Sequence, residues 1–122
     1  MPKILLIDDE KQVLDMLKLM LERADHEVST ASNGDEGLRL FRQKDFDIVL
    51  TDLFMDTKDG LSTIMSMRKE SDTPIIAISG GGWSSASNYL DVAQKMGVSC
   101  TFNKPVSNKQ LLAAIERLTT QE

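Results

Sequence analysis

The sequence predicts an α/β fold built on a parallel sheet, and three observations carry that prediction. Short apolar and β-branched runs alternate five times with longer stretches of helical spacing, the pattern of β-α units rather than of hairpins. The first and third runs are almost wholly apolar, as expected of central parallel strands covered on both faces. Polar turns fall between the runs at Ala24-Asp25-His26 and Ser32-Asn33-Gly34, and Gly97 suits the position just past a helix end, where φ is often positive.

The five predicted strands are Lys3 to Ile7, Glu27 to Ala31, Asp47 to Thr51, Pro74 to Ile78 and Ser99 to Phe102. After the first strand, Val13, Leu14, Leu17, Met20 and Leu21 recur at spacings of three and four, so one helix face should pack on the sheet. Leu38 and Phe41 mark a second helix. Leu61, Ile64, Met65 and Met67 mark a third, and Leu111, Leu112, Ile115 and Leu118 a fifth. The fourth, roughly Ser84 to Met96, opens on Ser, Ala and Asn and is predicted to be short or mobile.

Size and charge narrow the function. A chain of 122 residues with 41% apolar and 27% charged residues fits one packed domain, with no linker, repeat or low-complexity tail. The net charge of -5 repels nucleic-acid phosphates, and no local Lys/Arg cluster offsets it. Apolar runs such as Ile4 to Ile7 are far too short to span a bilayer, and the N-terminus has no signal-peptide pattern, so a cytoplasmic location is expected. Cys100 is the single cysteine, which excludes an internal disulfide. It reads as core filler rather than a nucleophile, since the single His, His26, lies in a polar turn without a recognisable catalytic partner.

In open parallel sheets the ligand site lies outside the carboxyl ends of the strands. The first strand runs into Asp8-Asp9-Glu10, the third ends at Asp52, the fourth at Ser79 before Gly80-Gly81-Gly82, and the fifth at Asn103-Lys104-Pro105. Singly each has an ordinary explanation: helix capping for the acids, a turn for Asp52, a flexible Ser-Gly loop, and a solvated lysine before a helix-opening proline. Jointly they deliver a carboxylate pair, a carboxylate, a hydroxyl and an ammonium to one edge. That set suits Mg²⁺-assisted phosphoryl transfer, because a hard cation takes oxygen ligands while an ammonium and a hydroxyl steady the phosphoryl oxygens.

At Ile-Leu-Leu-Ile-Asp8-Asp9-Glu10, Asp47-Ile-Val-Leu-Thr-Asp52, Asp59-Gly60, Ile75-Ile-Ala-Ile-Ser79-Gly80 and Lys104-Pro105 the chain resembles a response-regulator receiver domain, the phosphoacceptor half of two-component signalling. The resemblance covers essentially the whole chain, from Ile4 to the fifth helix, and implies one domain over residues 1–122. It implies a doubly wound (βα)5, flavodoxin-like sheet in the order 2-1-3-4-5, as in chemotaxis receivers, with helices one and five on one face. It further implies that Asp52 accepts phosphate from the phosphohistidine of a sensor kinase or histidine phosphotransfer protein. Asp9 would bind Mg²⁺ directly, Asp8 would help through water, and Asp52 and the Phe54 backbone carbonyl would be further ligands. Ser79 and Lys104 would contact the phosphoryl group, and an output protein would read the switch. Such a domain is a signalling switch rather than an enzyme in its own right.

Three positions depart from the family pattern. Thr101 stands where an aromatic residue usually takes part in switching, Asp56 where a proline is common, and Gly80-Gly81-Gly82-Trp83 where more ordinary residues open the fourth helix. Phe102 should then face the core, and Ser79, Trp83 and Thr101 are the candidate switch residues. A nucleotide or flavin module of similar topology would need a Gly-rich phosphate loop where Asp8-Asp9-Glu10 stands. A haloacid-dehalogenase-type phosphatase would want an acid where Phe54 stands. A degenerate receiver, serving only as an interaction module, would be expected to lack one of Asp8, Asp9, Asp52, Ser79 and Lys104.

Overall fold

Five short runs that can bury both faces are most economically satisfied by pairing side by side, and they do. The computed structural model of the chain describes residues 2–53, 60–79, 94–103 and 106–120. These form β1 (Lys3–Ile7), α1 (Lys11–Arg23), β2 (Glu27–Ala31), α2 (Gly34–Gln43), β3 (Ile48–Asp52), α3 (Gly60–Glu70), β4 (Ile75–Ser79), β5 (Cys100–Asn103) and α4 (Asn108–Thr119). The helix expected over Ser84 to Met96 lies outside the described residues apart from its end, where Gln94 and Lys95 are helical. Here α4 is therefore the fifth helical stretch of the sequence.

All four strand pairings are parallel, in the order β2-β1-β3-β4-β5. Side chains alternate between the two faces of each strand, and the core divides accordingly. Ile4 and Leu6 of β1, with Leu50 of β3 and Ile76 of β4, join Leu14, Leu17 and Leu21 of α1 and Leu111 and Ile115 of α4. Leu5, Ile7, Val49 and Ile75 meet Leu38 of α2 and Ile64 and Met67 of α3 on the other face. Burying each such side chain contributes roughly 1.5–3 kcal/mol, which is why strands with two covered faces are apolar throughout. Cys100 and Phe102, both partly buried, pack against the first cluster.

Local chemistry seats the helices. The Asn33 side chain accepts from the Glu36 backbone N–H at 2.8 Å, and the Glu36 carboxylate accepts from the Ser32 N–H at 2.6 Å, fixing the start of α2. One turn in, Gly37 lies against Ile7, and a Cβ there would sit 2.9 Å from Ile7 Cγ1. The missing side chain is what lets α2 approach β1. Gly97 follows the helical residues with φ at +94°. Arg42 Nε donates to both Glu70 oxygens, at 3.1 and 2.9 Å, joining α2 to α3 at an exposed pair that orients more than it stabilises.

Two expectations need correction. Strands β3, β4 and β5 each begin and end one residue later than the apolar runs predict. Asp47 is spent outside the ladder, its carboxylate accepting from the Lys3 N–H at 2.7 Å, while Asp52 is paired within it, beside Ile78. Met65 is 47% exposed although its neighbours Ile64 and Met67 are buried. The buried arc is centred between Thr63, Ile64 and Met67, and at about 100° per residue Met65 is turned well away from it.

His26 differs in setting from the polar turn expected. It is half-buried beside Pro2, Ala24, Leu112, Glu116 and Thr119, and its Nδ1 is buried with no hydrogen-bond partner among the described residues. Burial pushes its pKa down, against the opposing pull of Asp25 and Glu116. A histidine depressed in the folded state supports stability above its unfolded pKa of about 6.5 and loses that support as pH falls through the folded value. The melting temperature should therefore fall more steeply between about pH 7 and 5 in the parent than in His26→Gln. Parallel curves would contradict this account of His26.

Candidate metal and phosphoacceptor site

The register brings the acidic residues together. Ile7, the last residue of β1, lies beside Ala31 of β2 and Thr51 of β3, so the residues that follow, Asp8 and Asp52, emerge side by side at the carboxyl edge. The Asp8 N–H donates to the Ala31 carbonyl at 3.1 Å, and the Leu53 N–H to the Ile78 carbonyl at 2.9 Å. Each carboxylate is thus carried on backbone tied down on its far side. Thr51 Oγ1 donates to the Asp52 carbonyl at 3.1 Å, a buried hydrogen bond next to the candidate nucleophile in sequence.

One oxygen from each of Asp8, Asp9, Glu10 and Asp52 lies within 4.8 Å of the others. Asp8 and Asp52 are buried, at 3% and 4% exposure, so they meet in a setting of reduced dielectric. Asp9 is half-buried and Glu10 exposed, so the cluster opens from the sheet edge toward solvent. Two like charges some 4–5 Å apart at an effective dielectric near 20 repel by about 3–4 kcal/mol before relaxation. The arrangement fits a hard divalent cation, since every donor is a carboxylate oxygen and no thiolate or imidazole belongs to the set.

Of the residues singled out in the sequence, Asp8, Asp9 and Asp52 are therefore brought together. Ser79 ends β4 beside Asn103 of β5, one residue before Lys104, and one step on from the Asp52–Ile78 pairing. Phe54, Trp83 and Lys104 lie outside the described residues. Thr101 is half-buried in β5, where its hydroxyl accepts from Gln94 Nε2 at 3.4 Å. Glu10 was legible only as a capping acid. It does occupy the N-cap of α1, yet its side chain makes no capping hydrogen bond. Its backbone N–H instead donates to Asp8 Oδ1 at 2.9 Å, holding that carboxylate in place.

Residues 4–116 match the family model of the response regulator receiver domain. The probable transcriptional regulator ycf27 of Guillardia theta is 36% identical over 118 residues, covering 93% of this chain and 43% of its own length. The nisin biosynthesis regulatory protein NisR of Lactococcus lactis subsp. lactis is 32% identical over 116 residues, covering 93% of this chain and 48% of its own. The chain thus spans about half the length of these curated relatives. Among solved structures, a response regulator receiver domain protein from Clostridium thermocellum superposes with a TM-score of 0.91 at 33% identity, covering 98% of this chain and 94% of that one. The response regulator TrrA of Thermotoga maritima, solved in complex with Mg²⁺-BeF, gives a TM-score of 0.85 at 28% identity, over 97% and 99% of the two chains. No helix among the described residues is long and apolar enough to cross a membrane. With the strand order, the acidic sheet edge and these matches together, the chain belongs to the response-regulator receiver domain family of two-component systems.

Proposed function

We infer that the chain is a Mg²⁺-dependent phosphoacceptor that takes a phosphoryl group onto Asp52 and thereby changes the surface it offers an output protein. The observation that carries this reading is the convergence of the buried Asp8 and Asp52 with Asp9 at the carboxyl edge of the sheet. In the reaction, an Asp52 carboxylate oxygen attacks the phosphorus of a kinase or phosphotransfer-protein phosphohistidine. The P–N bond breaks, its electron pair returns to the imidazole, and an acyl phosphate forms on Asp52. Asp9, Asp8 and Asp52, with the Phe54 carbonyl, are the residues that would hold the cation. Bound there, Mg²⁺ would offset the carboxylate charge and draw in the phosphoryl oxygens. Ser79, the last residue of β4, and Lys104, next in sequence after β5, are assigned to the phosphoryl oxygens by hydrogen bond and ion pair.

Incubation with Mg²⁺ and acetyl phosphate, followed by intact-mass measurement, tests the reading. One phosphoryl group should be gained in Mg²⁺ and none in EDTA, and an unchanged mass in both would contradict it. A second expected outcome follows from linkage. Folding assembles the carboxylates, so a cation that binds them stabilises the native state, by about 2.7 kcal/mol when its concentration is a hundred times Kd. The melting temperature should rise with Mg²⁺ in the parent and not in Asp9→Ala. Identical titrations of the two proteins would count against Asp9 as a ligand.

A further inference from the structure

We propose that the cavity beside His26 and Glu116 is a binding site for a small organic ammonium, a protonated amine carried on an apolar body. It lies at the amino edge of the sheet, the opposite end of the strands from the acidic cluster, and is independent of the phosphoacceptor reading. Pro2, just before β1, and His26, just before β2, line it together with Leu112, Glu116 and Thr119 of α4. Its volume is about 360 Å³, toward the lower end of ligand pockets, which suits a body of one ring or a short chain. The lining is held in place beforehand. The Glu27 N–H donates to the Pro2 carbonyl at 3.0 Å, and the His26 N–H to the Leu21 carbonyl at 3.1 Å.

The polar groups of the lining select a positively charged donor. Glu116 supplies its single carboxylate and makes no ion pair among the described residues, none of whose Lys or Arg side chains lines the cavity. Thr119 and Thr120 donate their hydroxyl protons to the carbonyls of Ile115 and Glu116, at 2.7 and 2.8 Å, so toward a ligand their oxygens act as acceptors. Helix α1 ends at its Ala24 cap and α4 at its Thr120 cap, and both caps line the cavity. Two negative helix ends therefore meet there, a field that favours a cation. Burial holds the His26 pKa down against the pull of Asp25, with the amino-terminal charge adding to the lowering and Glu116 opposing it. The ring is mostly neutral above about pH 7. Protonated at Nε2, it has in its buried, unpartnered Nδ1 an acceptor whose desolvation a ligand N–H would offset.

Protein-observed NMR titration at about pH 7.5, where the ring is neutral, tests this with benzylamine, benzyl alcohol and methylammonium. The alcohol has the shape without the charge, and methylammonium the charge without the body. Benzylamine should bind saturably and shift the resonances of Ala24, His26, Leu112 and Thr119, with the other two weaker by about fivefold or more. Glu116→Gln should weaken benzylamine about two- to fivefold and leave benzyl alcohol unchanged. Asp15→Asn makes the same change in net charge at an exposed position of α1 away from the cavity, and should change neither. Melting curves check that both variants are folded. No saturable shift at the lining residues overturns the proposal. Equal binding of benzyl alcohol or of methylammonium also overturns it, since the site would then select apolar bulk or charge alone. An Asp15→Asn effect as large as that of Glu116→Gln overturns it too, by reducing the attraction to net charge.

Discussion

Asp52→Asn is expected to abolish phosphoryl acceptance from acetyl phosphate altogether while leaving the fold intact. An amide is isosteric with the carboxylate but lacks the nucleophilic oxygen anion, so the acyl phosphate cannot form. Stability should move the other way. Asp52 is 4% exposed and shares its 4.8 Å cluster with three other acids, so a neutral side chain there removes like-charge repulsion from a setting where water screens it poorly. In EDTA the variant should melt at or above the temperature of the parent, and the rise that Mg²⁺ gives the parent should shrink. A variant that still gained a phosphoryl group would place the chemistry elsewhere, and one that unfolded would make Asp52 a structural residue first.

The second large effect concerns the sheet that carries the site. Leu50 is wholly buried at the centre of β3, between Leu6 of β1 and Ile76 of β4 in register. Its cluster is closed by helices from both ends of the chain, α1 and α4. Leu50→Ala leaves a void that the neighbouring strands, fixed by their ladders, can only partly fill. The expected loss is about 2–5 kcal/mol in urea unfolding, a large share of the 5–15 kcal/mol that such domains typically possess. At a temperature where the variant remains folded it should still accept a phosphoryl group, because Leu50 serves the core and Asp52 the edge. A loss below about 1 kcal/mol would mean that the core can collapse around this position far more freely than its ladder suggests.

Much of the sheet was legible because central parallel strands carry their signature in composition. Ile4-Leu5-Leu6-Ile7 and Ile48-Val49-Leu50 are apolar at every position because both of their faces are covered. Amphipathic α1 and α4 were legible from spacing for the converse reason, each having one face on the sheet and one in water. Strand order was not in the pattern of residues. It came with the family resemblance, and the pairing bears it out.

What the sequence could not supply depends on neighbours distant along the chain. Whether Asp47 or Asp52 belongs to the ladder is decided by pairing with Lys3 and with Ile78, not by any property of the run itself. The close seat of Gly37 on Ile7 and the burial of His26 against Leu112 and Glu116 are likewise tertiary. In the site, Asp8, Asp9 and Asp52 were found because they stand at or just past the ends of strands, and strand ends meet. Glu10 was hidden by a plausible local role, as a helix-opening acid, that its side chain does not play.

Reduction of an acyl phosphate by borohydride converts the carboxyl that carried it to an alcohol, so an aspartate so modified becomes homoserine and is marked in the peptide. Peptide mass spectrometry after acetyl phosphate and borohydride treatment, with Mg²⁺ and with EDTA, therefore reads out which carboxylate reacts and whether the cation is needed. Homoserine should appear at position 52, in Mg²⁺ alone, and at none of Asp8, Asp9 or Asp56. Homoserine at another of these positions, at position 52 equally in EDTA, or at no position despite a gain in mass would contradict Asp52 as the metal-assisted phosphoacceptor.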